Sequence, residues 1–261
     1  MSSRISLITS GLKMLTFQGI TVSNGLLIVA TLEGDLLKIG LDGTVTKWVN
    51  LSRYGIPAGI VNVQGTIAVT LSAQESGHFL MQVTPQGNTT LVADLSTLAG
   101  EFGAPFGIAA RSGYYPYYWV AVVTDVLRTG GLIVRVTSSG KISKWVKLAS
   151  SPFGIAAKDD RLFVTQEDGT ILQISQAGQV RTIVNLSEAG LGIPLAIAAS
   201  QDNCLVTTNK GLLVQIAPDD GLSTVVDISE AGFGLPTTLT TLDDSYIVAT
   251  SAGNLLQIIK D

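Results

Sequence analysis

The sequence predicts an all-β fold, a six-bladed β-propeller with four antiparallel strands per blade, and three observations carry that prediction. A short motif recurs along the whole chain, and each copy is followed by the same order of apolar runs and turns. No stretch reads as a helix of ten or more residues.

The motif is clearest as PFGIAA, which occurs at 105–110 and again at 152–157. Weaker copies read FQGI (17–20), PAGI (57–60), PLAI (194–197) and PTTL (236–239). The six anchors Ile20, Ile60, Ile108, Ile155, Ile197 and Leu239 are spaced 40, 48, 47, 42 and 42 residues apart. A period of about 40–50 residues marks a solenoid, a propeller or an array. What fills each period decides among them. The fourth unit runs PFGIAA, KDD, RLFVTQ, EDG, TILQIS, QAG, QVRTIVNL, four β-rich runs separated by turn residues. Its turns, at Asp159-Asp160, Asp168-Gly169 and Ala177-Gly178, use residues that accept the positive φ of tight hairpins. Four antiparallel strands per repeat is a propeller blade.

The chain then reads as one domain, 1–261, with blades over about 11–51, 52–95, 96–148, 149–186, 187–228 and 229–261. The sixth unit supplies only three strands. SRISLITS (3–10) resembles the outer strands QVRTIVNLS and GLSTVVDIS, so the N-terminal strand is expected to close the last blade. Closure removes a free sheet edge. The small residues Gly19, Gly59, Gly107, Gly154 and Ala196 let six backbones approach the axis. Prolines 57, 105, 152, 194 and 236 start the inner strands where no ladder donor is needed.

Composition narrows the partners. Charged residues are 14% and apolar residues 46%, against a usual charged share of about 25%, which excludes a disordered chain. Net charge is −4 with no basic stripe, which argues against nucleic acid. The apolar runs are short and interrupted, so no membrane span is expected. The N-terminal residues lack a signal-peptide apolar region, giving a cytoplasmic expectation. Cys204, the sole cysteine, reads as a core thiol in a strand.

The order Pro-Phe-Gly-Ile-Ala, then LFVTQEDGTILQIS, then GQVRTIVNL resembles six-bladed propellers of the NHL, SMP-30 and streptogramin-lyase type. Within that group it looks nearest to the propellers encoded with cyanobacterial scytonemin biosynthesis. The likeness spans the chain but rests on structural glycines and prolines, so it speaks to fold more than activity. SMP-30-like lactonases hold a divalent ion with Glu, Asn and Asp in the central channel. The matching positions here are Phe17, Gln18, Ala58, Phe106, Phe153, Leu195 and Thr237, with no carboxylate. Streptogramin lyases use histidines near magnesium, and this chain has the single histidine His78. The expectation is no metal and no cofactor.

Ligands of propellers usually meet the rim formed by the loops that enter the inner strands and those that join second to third strands. Here that rim is mostly apolar with sparse charge, including Glu33, Glu75, Glu101 and Lys210, which suits a small hydrophobic molecule. Glu188 and Glu230, in identical SEAG loops, read either as repeat-derived turn residues or as a carboxylate pair for acid–base work, with Tyr54 and Arg53 beside them. Phe17, Phe106, Phe153 and Leu195 read as a channel plug or as an apolar wall for substrate. Asp125, Arg128, Glu167 and His78 complete the candidate substrate contacts, each with a plain surface reading beside it. RSGYYPYYW (111–119) holds four of six tyrosines, and Tyr114, Tyr115, Tyr117 and Tyr118 offer either a dimer contact on the opposite face or only a longer hairpin.

Two readings therefore stand side by side. One is a small-molecule propeller, extending to a metal-independent cyclising, condensing or eliminating enzyme of secondary metabolism. The other is a non-catalytic scaffold for protein partners. A metal-dependent lactonase or lyase is a third, weaker alternative.

Overall fold

The computed structural model describes residues 3–12, 19–73, 77–99, 103–111, 117–124, 130–200 and 203–260. They form six four-stranded antiparallel sheets. The inner strands are Ile20–Ser23, Ile56–Val63, Ala104–Arg111, Pro152–Lys158, Pro194–Ala199 and Pro236–Leu242. Each packs against the inner strands of both neighbours, so the ring is closed. In the sixth sheet the outer strand is Ser3–Thr9, paired antiparallel to Leu255–Lys260. The N-terminal strand thus closes the last blade. Helix is confined, among the described residues, to Ser96–Ala99 and a 3-10 turn at Ser52–Tyr54, and no helix is long and apolar enough to cross a membrane.

The core lies between blades. Successive strand residues point to opposite faces, and both faces of a blade meet a neighbour. Strands such as YYWVAVV (117–123) are therefore apolar throughout instead of alternating. Six apolar clusters fill the six blade-to-blade interfaces. One, for example, joins Leu80 and Leu95 of the second blade to Ile108, Val120 and Val134 of the third.

The recurrent motif has a specific geometry. In the second to fifth blades the register slips by one residue between the proline and the Ile anchor, as between Pro105↔Val122 and Ile108↔Val120. The two residues between them, Phe-Gly in PFGI, form a β-bulge that bends the strand toward the axis. The bend brings neighbouring backbones together. A Cβ on Gly107 would lie 2.6 Å from the Phe153 carbonyl oxygen, and one on Gly154 would lie 2.9 Å from Ala196 Cα. A bulge also removes ladder partners from backbone groups that are buried here. Threonines on the second strands replace them. The Thr70 hydroxyl accepts from Gly59 N–H at 2.8 Å and donates to the Phe106 carbonyl of the next blade at 2.8 Å. Thr165 does the same for Gly154 N–H (2.8 Å) and the Leu195 carbonyl (3.2 Å). Thr207 accepts from Ala196 N–H at 3.2 Å. The Thr70 and Thr165 hydroxyls thus stitch adjacent blades together at the axis.

Candidate functional site

Each entering loop begins where an outer strand ends, and a side-chain turn fixes the exit. Asn50, Asp94, Asn185 and Asp227 all accept hydrogen bonds from the residues two or three positions on. Local competition by Asn and Asp side chains for backbone donors is what ends the strand there. The loops are also tied to the second-to-third-strand turns. Lys210 Nζ donates to the Gly190 carbonyl at 2.8 Å, and Ile193 N–H donates to Asn209 Oδ1 at 2.8 Å. The described part of the rim is thus held by hydrogen bonds.

Inside the rim lies a channel cavity of about 100 Å³. Every blade contributes to it: Gly19, Ala58, Phe106, Phe153, Leu195 and Thr237 form the upper ring, with the Ile and Leu anchors below. Among the described residues its lining holds no titratable side chain. Phe106 and Phe153 meet edge to face with centroids 6.1 Å apart, a favoured aromatic geometry. Phe153 and Leu195 are buried, while Phe106 stays partly open. Beside the inner-strand prolines, Ile56 and Leu235 are 48% and 42% exposed. Among the described residues the polar groups of the lining are Thr237, whose hydroxyl donates to the Ala249 carbonyl at 3.2 Å, Thr238 and backbone.

The charged candidates lie elsewhere. Glu188 and Glu230 are exposed and do not line the channel. Their backbone N–H groups donate to Asn185 Oδ1 (3.1 Å) and Asp227 Oδ1 (2.9 Å), and Glu188 Oε1 accepts from Asn185 Nδ2 at 3.2 Å. The repeated turn accounts for both positions. Arg53 lies over the Tyr54 ring at 4.5 Å, and Tyr54 packs on the core between the first two blades. Glu167, half-buried, sits in a turn whose N–H donates to the Ser151 carbonyl at 3.0 Å.

His78 is a strand residue rather than a loop residue, within Gly77–Val83, and is half-buried. Its Nδ1 is buried without a hydrogen-bond partner among the described residues. Burial holds the imidazole below its ordinary value, against a smaller opposite pull from Asp94. Phe17, Asp125, Arg128, Tyr114 and Tyr115, with Glu75 and Glu101, lie outside the described residues.

Tyr117 and Tyr118 do not share a surface. Tyr117 stacks edge to face on Trp119 at 4.8 Å and lies under the Arg135 guanidinium. Tyr118 is 1% exposed and its hydroxyl accepts from Gln82 Nε2 at 2.5 Å in the interface with the second blade. It is therefore unavailable to a dimer contact, because strand alternation sends adjacent residues to opposite faces. Among the described residues no three His, Cys, Asp or Glu side chains gather as a metal centre.

Sequence reasoning missed the threonine stitches. Their signal was a Val-Thr pair opposite the bulge, as in TIAVTL, FVTQ and LVTT, which resembles ordinary β-branched strand composition.

No family model and no curated protein sequence matches the chain. Solved structures do. Virginiamycin B lyase from Staphylococcus aureus is 16% identical over 100% of both chains, with a TM-score of 0.70. A gluconolactonase from Xanthomonas campestris is 12% identical over 98% of this chain and 89% of its own, with a TM-score of 0.75. The PQQ-bound aldose sugar dehydrogenase of Streptomyces coelicolor is 14% identical over 99% and 98%, with a TM-score of 0.73. At these identities the likeness is one of architecture, and the chain is a six-bladed β-propeller of the fold that these lyase, lactonase and dehydrogenase chains share.

Proposed function

We propose that this propeller binds a small, largely apolar molecule at the channel mouth on the loop face, with one apolar group seated against Phe106, Phe153 and Leu195. The observation that carries this reading is the channel lining, whose side chains among the described residues are aliphatic, aromatic or threonine and uncharged, with backbone polar groups open between them. Concave apolar sites with few polar groups are the usual form of small-molecule sites. The cavity of about 100 Å³ takes a side-chain-sized group, so the rest of the ligand would lie on the rim beside Ile56 and Leu235. Three of the solved neighbours are named as a virginiamycin B lyase, a gluconolactonase and an aldose sugar dehydrogenase, names consistent with a small ligand, while another is a nidogen/laminin complex, so the reading rests on the lining.

Binding is favoured over acid–base chemistry at this mouth. Glu188 and Glu230 are solvated turn residues, and Arg53 is engaged with Tyr54. A general acid or base has to lie within hydrogen-bond reach of the proton it moves, and no described lining residue carries such a group.

The test is a fluorescence titration with the neutral probe N-phenyl-1-naphthylamine. We expect saturable one-to-one binding that Ala58→Phe, which fills the mouth, weakens by about tenfold or more. Glu188→Gln should leave it unchanged. Absence of saturable binding, or equal affinity in Ala58→Phe shown by circular dichroism to be folded, would overturn the reading.

A further inference from the structure

The face opposite the loop rim carries a second cavity, between the fourth and fifth blades, of about 260 Å³. Its walls come from the Lys158–Arg161 hairpin, Arg181 on the outer strand of the same blade, and the fifth-blade residues Cys204 and Asp220. Its floor includes Phe163 and Ile216, both buried. Three cations and two carboxylates, Asp159 and Asp220, line it, so it is net positive in a chain of net charge −4.

The cations differ in their commitments. Arg181 bridges the two blades, with its guanidinium nitrogens 2.7 and 3.1 Å from the Asp220 carboxylate oxygens. Among the described residues Arg161 meets only the Asp159 carboxylate, at 3.8 Å, an exposed pair of little strength. Lys158 is half-buried and its ammonium makes no hydrogen bond or ion pair among the described residues. Burial pushes the Cys204 thiol up to about 11 against the opposite pull of Lys158 and Arg161, so both charges act at one point beside the cavity.

The repeat shows that the fold does not require these cations. The hairpin pair Lys158↔Arg161 corresponds to Ser23↔Leu26, Val63↔Thr66 and Leu242↔Ser245 in the first, second and sixth blades, and to Arg111↔Tyr117 in the third. Arg181 corresponds to Thr46, Thr90, Ser143 and Ser223. The first, second and sixth blades build the same hairpin from neutral residues, and the third keeps one cation, Arg111, without a second at its partner position.

We propose that this cavity binds a small organic anion, a carboxylate borne on an apolar ring or short chain, with the carboxylate between Lys158 and Arg161 and the apolar body on Phe163 and Ile216. Its size falls below the range of drug-sized sites, about 300–1,000 Å³, which limits the ligand to one ring or a short chain. The proposal is independent of the reading given to the central channel.

Benzoate is the probe, with acetate and inorganic phosphate as comparisons, titrated into the ¹⁵N-labelled full chain and followed by amide shifts. Saturable one-to-one shifts by benzoate at Lys158 and Cys204 are expected. The double variant Lys158→Ser/Arg161→Ser, built from neutral residue types that other blades tolerate, should bind at least about tenfold more weakly, whereas Lys158→Arg should retain binding. Acetate, which lacks the apolar body, should bind about fivefold more weakly or worse. Shifts confined to other blades, undiminished affinity in the folded double variant, acetate or phosphate matching benzoate, or no binding at all would each overturn the proposal.

Discussion

Phe153 and Lys158 belong to one inner strand, Pro152–Lys158, yet they stand in opposite environments. Five residues of extended chain separate them by about 17 Å. At the Phe153 end, six backbones converge, and the residues are small, apolar or stitched by threonine. At the Lys158 end the strands diverge toward solvent, and the same repeat carries serine, valine, leucine, arginine or lysine. The difference teaches where the ring constrains its sequence: convergence at the axis leaves few substitutions possible, and divergence at the far ends of the strands leaves room for charges that differ from blade to blade.

The sharpest way to break this contrast is at the axis. Gly107→Ala should destabilise the protein by about 3 kcal/mol, because the new Cβ would lie 2.6 Å from the Phe153 carbonyl oxygen and both belong to backbone that cannot yield alone. Chemical denaturation measures it. The reverse change at the same ring position of the fifth blade, Ala196→Gly, should have a far smaller effect, since that blade already accommodates a Cβ. Thr165→Val comes next. It keeps the shape but removes the partner of Gly154 N–H and of the Leu195 carbonyl, and should cost about 1–3 kcal/mol in the same assay.

Two smaller effects sharpen the outer half of the comparison. Burial holds the folded-state pKa of His78 below the ordinary histidine value of about 6.5, so the unfolded chain binds the proton more readily. Stability is therefore complete above about pH 6.5 and declines as pH falls through the lower folded value. His78→Leu should remove that decline, seen as a thermal midpoint that no longer drops on moving from pH 7 toward pH 5. The carboxylates of Asp94 and Asp227, lowered by hydrogen bonds from Ser96 and from Glu230, lose their contribution only further down, below about 3.8. Smallest of all, Arg181→Ser should lower the midpoint slightly at low salt and leave it unchanged at high salt, because the Arg181–Asp220 pair is solvent-exposed.

The architecture was legible because its causes are local and repeated. The Asp and Gly turns, the six Ile or Leu anchors and the unpaired segment 3–10 each mark a backbone event that recurs or must be completed. The site was less legible, for a physical reason. Sequence position places Glu188 and Arg53 on the loop face, but side-chain direction depends on the turn each residue occupies, and those turns spend both on local contacts. Four tyrosines in one stretch read as one patch, whereas strand alternation puts Tyr117 and Tyr118 into two different blade interfaces. The aromatic channel wall was legible at Phe106 and Phe153, since both follow an inner-strand proline. The cationic cavity was not, because Lys158, Arg161 and Arg181 of the fourth blade line a cavity only when Cys204, Ile216 and Asp220 of the fifth pack against them.

The central claim is that the apolar channel and the cationic cavity are separate sites at opposite ends of the blades. It is tested most directly by titrating N-phenyl-1-naphthylamine in the absence and presence of saturating benzoate. Separate sites predict the same dissociation constant and the same fluorescence maximum in both titrations. A benzoate-dependent loss of naphthylamine affinity, proportional to benzoate occupancy, would mean that the two probes share one site and would contradict the account.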